Sequence, residues 1–197
     1  MNEVSTVIVF LVLIVFFTLI VLIIAERNEL FLEYRNAKLN NKNYGIQETF
    51  NKSNDAIEIL AKLHDEMENF INDLKIKYPD DDRVKRLVKG FKNTKIEEAP
   101  DDDGSSFTID KGSMMGLCLR HKKGERDFHD YNTLQFVIIH ELGHIASISE
   151  QHTPEFVANF KWLLKQAYDM GIYEPVNYQI NPITYCGVKV TNNPYFS

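Results

Sequence analysis

The side chains best suited to catalysis in this sequence stand in one run of five, His140-Glu141-Leu142-Gly143-His144. Residues four apart in a helix lie on the same face, so the two imidazoles can bind one metal ion. Zinc suits neutral imidazole and lowers the pKa of a bound water to about 7. Glu141 would lie close enough to accept the proton of that water and pass it to a leaving amine. The spacing therefore predicts a hydrolytic zinc site on a helix.

The residues around this motif are apolar on nearly every side of the predicted helix, which is typical of a buried helix. They are Leu134, Phe136, Val137, Ile138, Ile139, Leu142 and Ile145. Two histidines and a carboxylate are costly to bury unless something pairs with them, and a metal ion would do so. The alternative is a pair of hydrogen-bonded core histidines beside a salt-bridged glutamate. Gly143 costs about 1 kcal/mol relative to alanine inside a helix, which indicates close packing at that turn.

A catalytic zinc usually has three protein ligands and keeps its fourth position for water. His152 follows His144 by eight residues, and residues 148–151 can form a turn that brings it back to the metal. Thr153 and Pro154 are typical of a helix N-cap and first helical position, and they would hold His152 in place. We therefore expect His152 to be the third ligand.

Two carboxylates compete with His152 for this role. Glu155 would face outward in the first turn of the following helix, where a negative charge suits the helix dipole. Glu174 lies farther along the chain, at a wider spacing that fits a glutamate ligand only loosely.

The elements that position the motif are predicted from hydrophobic spacing and turn residues. The longest predicted helix covers residues 54–78, with Ser53 or Asn54 as its N-cap. The other predicted helices cover residues 82–91, 131–148 and 154–171, and the predicted strands cover residues 107–110, 115–120 and 185–190. Helices on both sides of a group of strands predict an α+β domain over residues 51–197.

The stretch from residue 115 to residue 160 resembles the zinc metallopeptidases of the WLM and SprT-like group. In that group a strand like Gly116-Leu117-Cys118-Leu119-Arg120 precedes the helix with H-E-x-x-H. An H-x-P-x-F pattern follows the helix, and His152-Thr153-Pro154-Glu155-Phe156 matches it.

The resemblance implies a zincin-like fold with a small sheet and an active-site helix. It implies that His140, His144 and His152 bind Zn²⁺ and that Glu141 is the catalytic base. It also implies that the strand before the motif helix runs along the backbone of a protein or peptide substrate. Members of the group that cut proteins crosslinked to DNA carry DNA- or partner-binding additions, and we recognise none in this sequence.

Residues 4–25 form a stretch of 22 residues without a charge. As a helix this stretch would be roughly 33 Å long, enough to cross a hydrocarbon core of about 30 Å. A cleaved signal peptide would need a basic start and a small-residue cleavage site, which the sequence lacks. The basic residues near the stretch all follow it, which predicts a cytosolic C-terminal part. We therefore predict a single-pass transmembrane anchor at residues 1–25, a polar stalk at 26–50 and a metallopeptidase domain at 51–197.

The expected redox state of the two cysteines depends on the orientation of the anchor. Cys118 and Cys186 would remain thiols in a cytosolic domain, and they could form one disulfide if the orientation were reversed. In the reversed case Asn51-Lys52-Ser53 could be glycosylated. Either way, both cysteines can be buried as small apolar groups.

The composition limits the partners. The chain has 197 residues and a formal net charge of −6, so direct binding to nucleic-acid phosphates is not expected. Its many Asn, Ile and Lys residues are typical of an AT-rich genome, such as that of a large DNA virus.

The leading interpretation is a membrane-anchored zinc metallopeptidase that acts on proteins or peptides. The alternative is a membrane-tethered binding or scaffold protein with a four-ligand structural zinc and no hydrolysis.

Overall fold

The computed structural model describes residues 10–20, 32–47, 50–100, 105–122, 124 and 126–197. The chain divides into two compact units, residues 1–32 and residues 33–197. In the first unit, residues 10–20 are helical and their side chains are exposed. Over the described ranges, no helix is both long enough and apolar enough to cross a membrane. The span expected at residues 4–25 extends outside the described residues at both ends, so the anchor stays a prediction.

The larger unit is built from seven strands and four α-helices within its described residues. In chain order these are β1 (Leu32–Asn36), β2 (Asn43–Gln47), α1 (Ser53–Lys77), α2 (Asp82–Phe91), β3 (Lys95–Glu98), β4 (Phe107–Ile109), β5 (Met114–Leu117), α3 (Tyr131–Ala146), α4 (Pro154–Asp169), β6 (Ile183–Tyr185) and β7 (Val188–Val190). A short 3-10 helix, Pro194–Phe196, follows β7. This mixture of helices with a small sheet confirms the expected α+β class.

Five of the strands form one sheet in the order β1-β2-β3-β5-β4. Strands β2 and β3 are parallel, as are β3 and β5, whereas β4 pairs antiparallel with β5. Phe107 lies opposite Gly116 in this last pair. Within the part of the chain that the structure describes, β4 is therefore an edge strand with a strand partner on one side only.

Helix α1 follows from the spacing of its apolar residues. Seven of them are completely buried: Ala56, Leu60, Ala61, Leu63, Met67, Phe70 and Leu74. The start of the helix differs from the prediction, which assigned the N-cap to Ser53 or Asn54. The N-cap is instead Lys52, which has a left-handed backbone and makes no side-chain capping bond.

The two helices that flank the motif begin where the sequence predicts. The Asp130 side chain accepts a hydrogen bond from the Thr133 N–H and caps α3. Thr153 caps α4 in the same way through the Phe156 N–H, with Pro154 as the first helical residue. Each cap satisfies an N–H that the helix itself leaves without a partner. The two caps therefore determine where the motif helix begins and where the chain turns into α4.

Two of the expected segments are wrong. Residues 32–47, assigned to a polar stalk, instead form β1 and β2, and within β2 Tyr44 and Ile46 are fully buried. The strand expected at residues 185–190 is instead a hairpin of β6 and β7. Its turn residues Cys186 and Gly187 both have positive φ, which interrupts an extended chain.

A buried ion pair joins the strands near the end of the sheet. Arg120 Nε donates to Glu98 Oε1 at 2.7 Å, and both side chains are nearly inaccessible to solvent. Glu98 Oε2 accepts from the Gln47 backbone N–H at 2.9 Å. The carboxylate therefore links the end of β2 and the end of β3 to the segment that follows β5.

Candidate metal centre

Helix α3 presents His140 and His144 on one face, and the loop before α4 returns His152 to them. The Nε2 atoms of His140 and His152 lie 3.0 Å apart. One ring nitrogen from each of the three residues lies within 4.8 Å of the other two. Nitrogens bound to one tetrahedral zinc at about 2.1 Å would be about 3.4 Å apart. The three imidazoles therefore have the spacing of a metal-ligand set.

Packing holds His144 in this position. The Phe156 ring stacks on the His144 ring with a centroid distance of 4.3 Å. A Cβ on Gly143 would lie 3.0 Å from Phe156 Cε2 and 3.4 Å from Phe160 Cβ. Glycine at this position lets α4 approach α3 closely enough for the stacking, which is the close packing expected there.

The loop that carries His152 is tied down at both ends. Glu155 accepts hydrogen bonds from the backbone N–H groups of Ile148 and Ser149, at 2.9 and 3.1 Å. These bonds hold the pKa of Glu155 below its usual value. Lys111 Nζ donates to the His144 carbonyl oxygen at 3.2 Å and also bonds the Ser149 carbonyl oxygen. Glu155, a competing candidate ligand, is thus occupied in shaping this loop.

The electrostatic environment keeps the helical imidazoles neutral. Burial, helped by the charges of the neighbouring histidines, lowers the pKa of His140 to about 3. Burial likewise lowers the pKa of His144 to about 4. A neutral imidazole has a lone pair for a metal ion, so both rings are in the binding form at neutral pH.

The Glu141 side chain lines the same cleft as the histidines and reaches the edge strand β4. Its side chain is 3% exposed. Burial raises its pKa to about 7, while a hydrogen bond from Thr108 opposes this rise. Thr108 Oγ1 donates to Glu141 Oε2 at 2.8 Å. Thr108 lies on β4, and no sequence signal connected it with the motif.

These groups line a cleft of about 820 Å³. One wall is the edge strand β4 with the residues just before it, Ser105 and Ser106, and the floor is α3. Tyr185, Val188 and Val190 from the C-terminal hairpin also line the cleft, and the Tyr185 hydroxyl lies 2.6 Å from Ser106 Oγ. The strand expected along a substrate, Gly116–Arg120, is not at this edge, because β5 lies between β3 and β4. The strand that borders the cleft is instead β4.

The two cysteines differ from the expectation for a cytosolic domain. Cys118 and Cys186 are joined by a disulfide whose Cα atoms are 6.3 Å apart. Both are buried. The bridge attaches the segment after β5 to the turn of the β6–β7 hairpin, which forms one wall of the cleft.

The fold is a mixed α+β domain in which a buried H-E-x-x-H helix lies beside the edge of a small sheet. The chain superposes on the crystal structure of Wss1 from Saccharomyces cerevisiae with a TM-score of 0.51 and 17% identity. The match covers 64% of this chain and 87% of that one. The resemblance to the WLM and SprT-like group is therefore confirmed at the level of the fold.

Viral relatives identify the family. The uncharacterized protein R325 of Acanthamoeba polyphaga mimivirus is 32% identical over 164 residues, which are 80% of this chain and 81% of R325. The chain belongs to the family of that protein. The uncharacterized protein 136R of Invertebrate iridescent virus 6 is 40% identical over 81 residues, 41% of this chain and 43% of 136R. No protein-family model matches the chain.

Proposed function

We propose that the chain is a zinc metallopeptidase that hydrolyses peptide bonds in proteins or peptides. The observation that carries this proposal is the convergence of His140, His144 and His152 in one cleft with the carboxylate of Glu141. Three imidazoles leave a tetrahedral zinc one open position, which suits catalysis better than a closed structural site.

Each residue of the site has a separate proposed role. His140, His144 and His152 would hold the metal through ring nitrogens, and Phe156 packs against all three rings. Zinc bound there would supply a Lewis acid that polarises the substrate carbonyl and makes water a stronger nucleophile. Glu141 accepts a proton from the attacking water and returns it to the leaving amine nitrogen. Because Thr108 donates to Oε2, we assign the proton transfer to Oε1.

The edge strand supports an extended peptide as the substrate. Among the described residues, β4 pairs with another strand on one side only, and its residues Phe107 and Thr108 line the cleft. A substrate that adds as a further strand would be held by main-chain hydrogen bonds. Such binding depends little on side chains, so we expect unfolded segments of many sequences to be accepted.

The test is the hydrolysis of an unfolded protein by the full chain and by its Glu141→Gln variant. We expect the variant to retain zinc and to lose activity by on the order of a hundredfold to ten-thousandfold, the usual contribution of a general base. Glu174→Gln is the matched control, because it removes an exposed carboxylate and should leave activity unchanged. Equal activity in wild type and Glu141→Gln would refute the mechanism. Bound zinc without hydrolysis by wild type would instead favour the scaffold alternative.

Attachment to a membrane is a separate part of the proposal. It rests on the sequence of residues 4–25, which carries no charge. The full chain is expected to stay with membranes in alkaline carbonate, whereas a chain that lacks residues 1–26 is expected to be released. Release of both would end this part of the proposal and leave the peptidase assignment intact.

A further inference from the structure

A second group of metal-binding side chains lies apart from the three histidines. Cys118, His129 and Cys186 each offer one ligand atom, and these atoms lie within 4.8 Å of one another. All three residues are buried. They come from the segment after β5, the segment before α3 and the turn between β6 and β7. Three separate parts of the chain thus bring two sulfurs and one imidazole to a single point.

The imidazole of this group lies against one of the two sulfurs. His129 Nε2 is 3.4 Å from Cys186 Sγ. The backbone N–H of His129 donates to the Leu119 carbonyl oxygen at 2.8 Å, which holds the residue beside the segment that carries Cys118. A neutral imidazole has a lone pair on one ring nitrogen with which it can bind a metal ion.

The charges of the site would balance. Two thiolates and a neutral imidazole carry a charge equal and opposite to that of a divalent cation, so a loaded site adds no net charge to the core. The nearby guanidinium of Arg120 is already paired with Glu98 at 2.7 Å. His121 is exposed, and its ring centroid lies 4.0 Å from that of His129. A fourth ligand could therefore come from His121 or from a water molecule.

We propose that Cys118, Cys186 and His129 form a second zinc site, which replaces the disulfide when the two cysteines are reduced. A dithiol or phosphine reductant supplies two electrons to the disulfide, and two protons complete the thiols. Zinc then binds the two sulfurs and displaces both protons. The sulfurs need only move to about 3.8 Å apart, as zinc–thiolate bonds of about 2.3 Å require.

The consequence of this site lies in the cleft. The hairpin residues Tyr185, Val188 and Val190 form a wall of the cleft, and Cys186 is at the hairpin turn. Either cross-link, the disulfide or the metal, holds this wall against the segment after β5. The wall would therefore keep its position in both oxidising and reducing surroundings. This inference concerns metal binding alone and does not depend on the proposed peptidase activity.

The experiment is a zinc count on the full chain, purified with a phosphine reductant and dialysed with zinc. We expect about two zinc ions per reduced wild-type chain and about one after oxidation. The Cys118→Ala/Cys186→Ala and His129→Gln variants should each hold about one when reduced, because each lacks part of the second site. His129→Gln retains both cysteines, so formation of its disulfide serves as a check on folding. A failure of the three-histidine site would lower every count equally and leave the difference between proteins unchanged.

Cobalt substitution tests the same site without any variant. Reduced wild type loaded with Co²⁺ should show a thiolate-to-cobalt charge-transfer band in the near ultraviolet, and oxidised wild type should lack it. The proposal is overturned if reduced wild type binds no more zinc than both variants. It is equally overturned if the additional metal binds without that band, since the sulfurs would then not be ligands.

Discussion

At the scale of single residues, Thr108 is the most informative addition to the motif. It donates to the buried carboxylate of Glu141 at 2.8 Å, from a strand 33 residues earlier in the chain. The bond favours the charged carboxylate, which burial opposes. Thr108 therefore positions the group that we propose as the base.

Replacement of Thr108 by valine removes this donor and preserves the shape of the side chain. A hydrogen bond to a charged group contributes about 1.5–3 kcal/mol, so we expect hydrolysis to slow roughly tenfold to a hundredfold. Because the pKa of Glu141 would rise further, the acid limb of the pH–rate profile should move to higher pH. Thr108→Ser keeps the hydroxyl and is the matched control. A Thr108→Val enzyme with the wild-type profile would show that the bond has no role in catalysis.

His64 makes a separate prediction about stability. Its Nδ1 lies 3.0 Å from the Tyr44 hydroxyl, within the interface between α1 and β2. Burial, and then the charge of Lys42, lowers the pKa of His64 in the folded chain. The unfolded chain therefore binds the proton more readily, and stability is lost as the pH falls from about 6.5 towards the folded-state pKa.

We expect His64→Gln to lose less stability than wild type between about pH 7 and about pH 5, by an amount that corresponds to at most one proton. Denaturant unfolding at several pH values measures this difference. Every other ionisable group is present in both proteins, so its contribution cancels in the comparison. Parallel curves for the two proteins would exclude His64 as a source of the pH dependence.

At the scale of the elements, the ion pair between Arg120 and Glu98 connects β3 to the segment that follows β5. Removal of one partner leaves a charge in the core without compensation, whereas removal of both does not. The pair is therefore better tested by a double-mutant cycle than by either substitution alone.

We expect Arg120→Met to lower the free energy of unfolding by about 3–5 kcal/mol, because Glu98 loses its partner. Glu98→Leu should be destabilising for the converse reason. The double variant should be more stable than either single variant, and denaturant unfolding of all four proteins gives the coupling energy. If the two single effects simply add, the ions do not interact in the way that their geometry implies.

Also at this scale, helix α2 packs closely against the turn between β4 and β5. A Cβ on Gly90 would lie 2.4 Å from the Lys111 carbonyl oxygen, so α2 packs directly against the turn between β4 and β5. The same turn carries Lys111, whose ammonium group holds the end of α3 and the loop before His152. Helix α2 comes well before the motif helix in the chain. It nevertheless packs against the turn that carries Lys111, the residue that positions this loop.

At the scale of the whole molecule, the disulfide closes a long covalent loop within the domain. Cys118 and Cys186 are separated by 68 residues. A cross-link of this length restricts the unfolded chain and should stabilise the fold by roughly 4 kcal/mol in the chain-entropy account.

We expect a reductant to lower the free energy of unfolding of wild type by up to about 4 kcal/mol when a chelator is present. The chelator keeps the proposed second zinc site empty, so the effect of the disulfide is measured alone. The Cys118→Ala/Cys186→Ala variant is the control and should not respond to the reductant. Equal stability of oxidised and reduced wild type would show that the bridge does not stabilise the fold.

The sequence alone was sufficient for the features that depend on neighbours along the chain. The spacing of His140 and His144, the caps Asp130 and Thr153 and the apolar periodicity of α1 are local, and the helices follow from them with small errors at their ends. The position of His152 could be anticipated for the same reason, since a short turn and a capped helix leave its backbone little freedom.

Only the tertiary structure decided which strand borders the cleft, which hydroxyl meets Glu141 and whether the two cysteine sulfurs meet. Strand order depends on long-range pairing, and alternation in a short strand such as β4 does not say whether its neighbour is on one side or on both. The polar composition of residues 32–47 likewise concealed two strands, because burial of Tyr44 and Ile46 by the rest of the fold outweighed it. Contacts of this kind are determined by the packing of the whole chain.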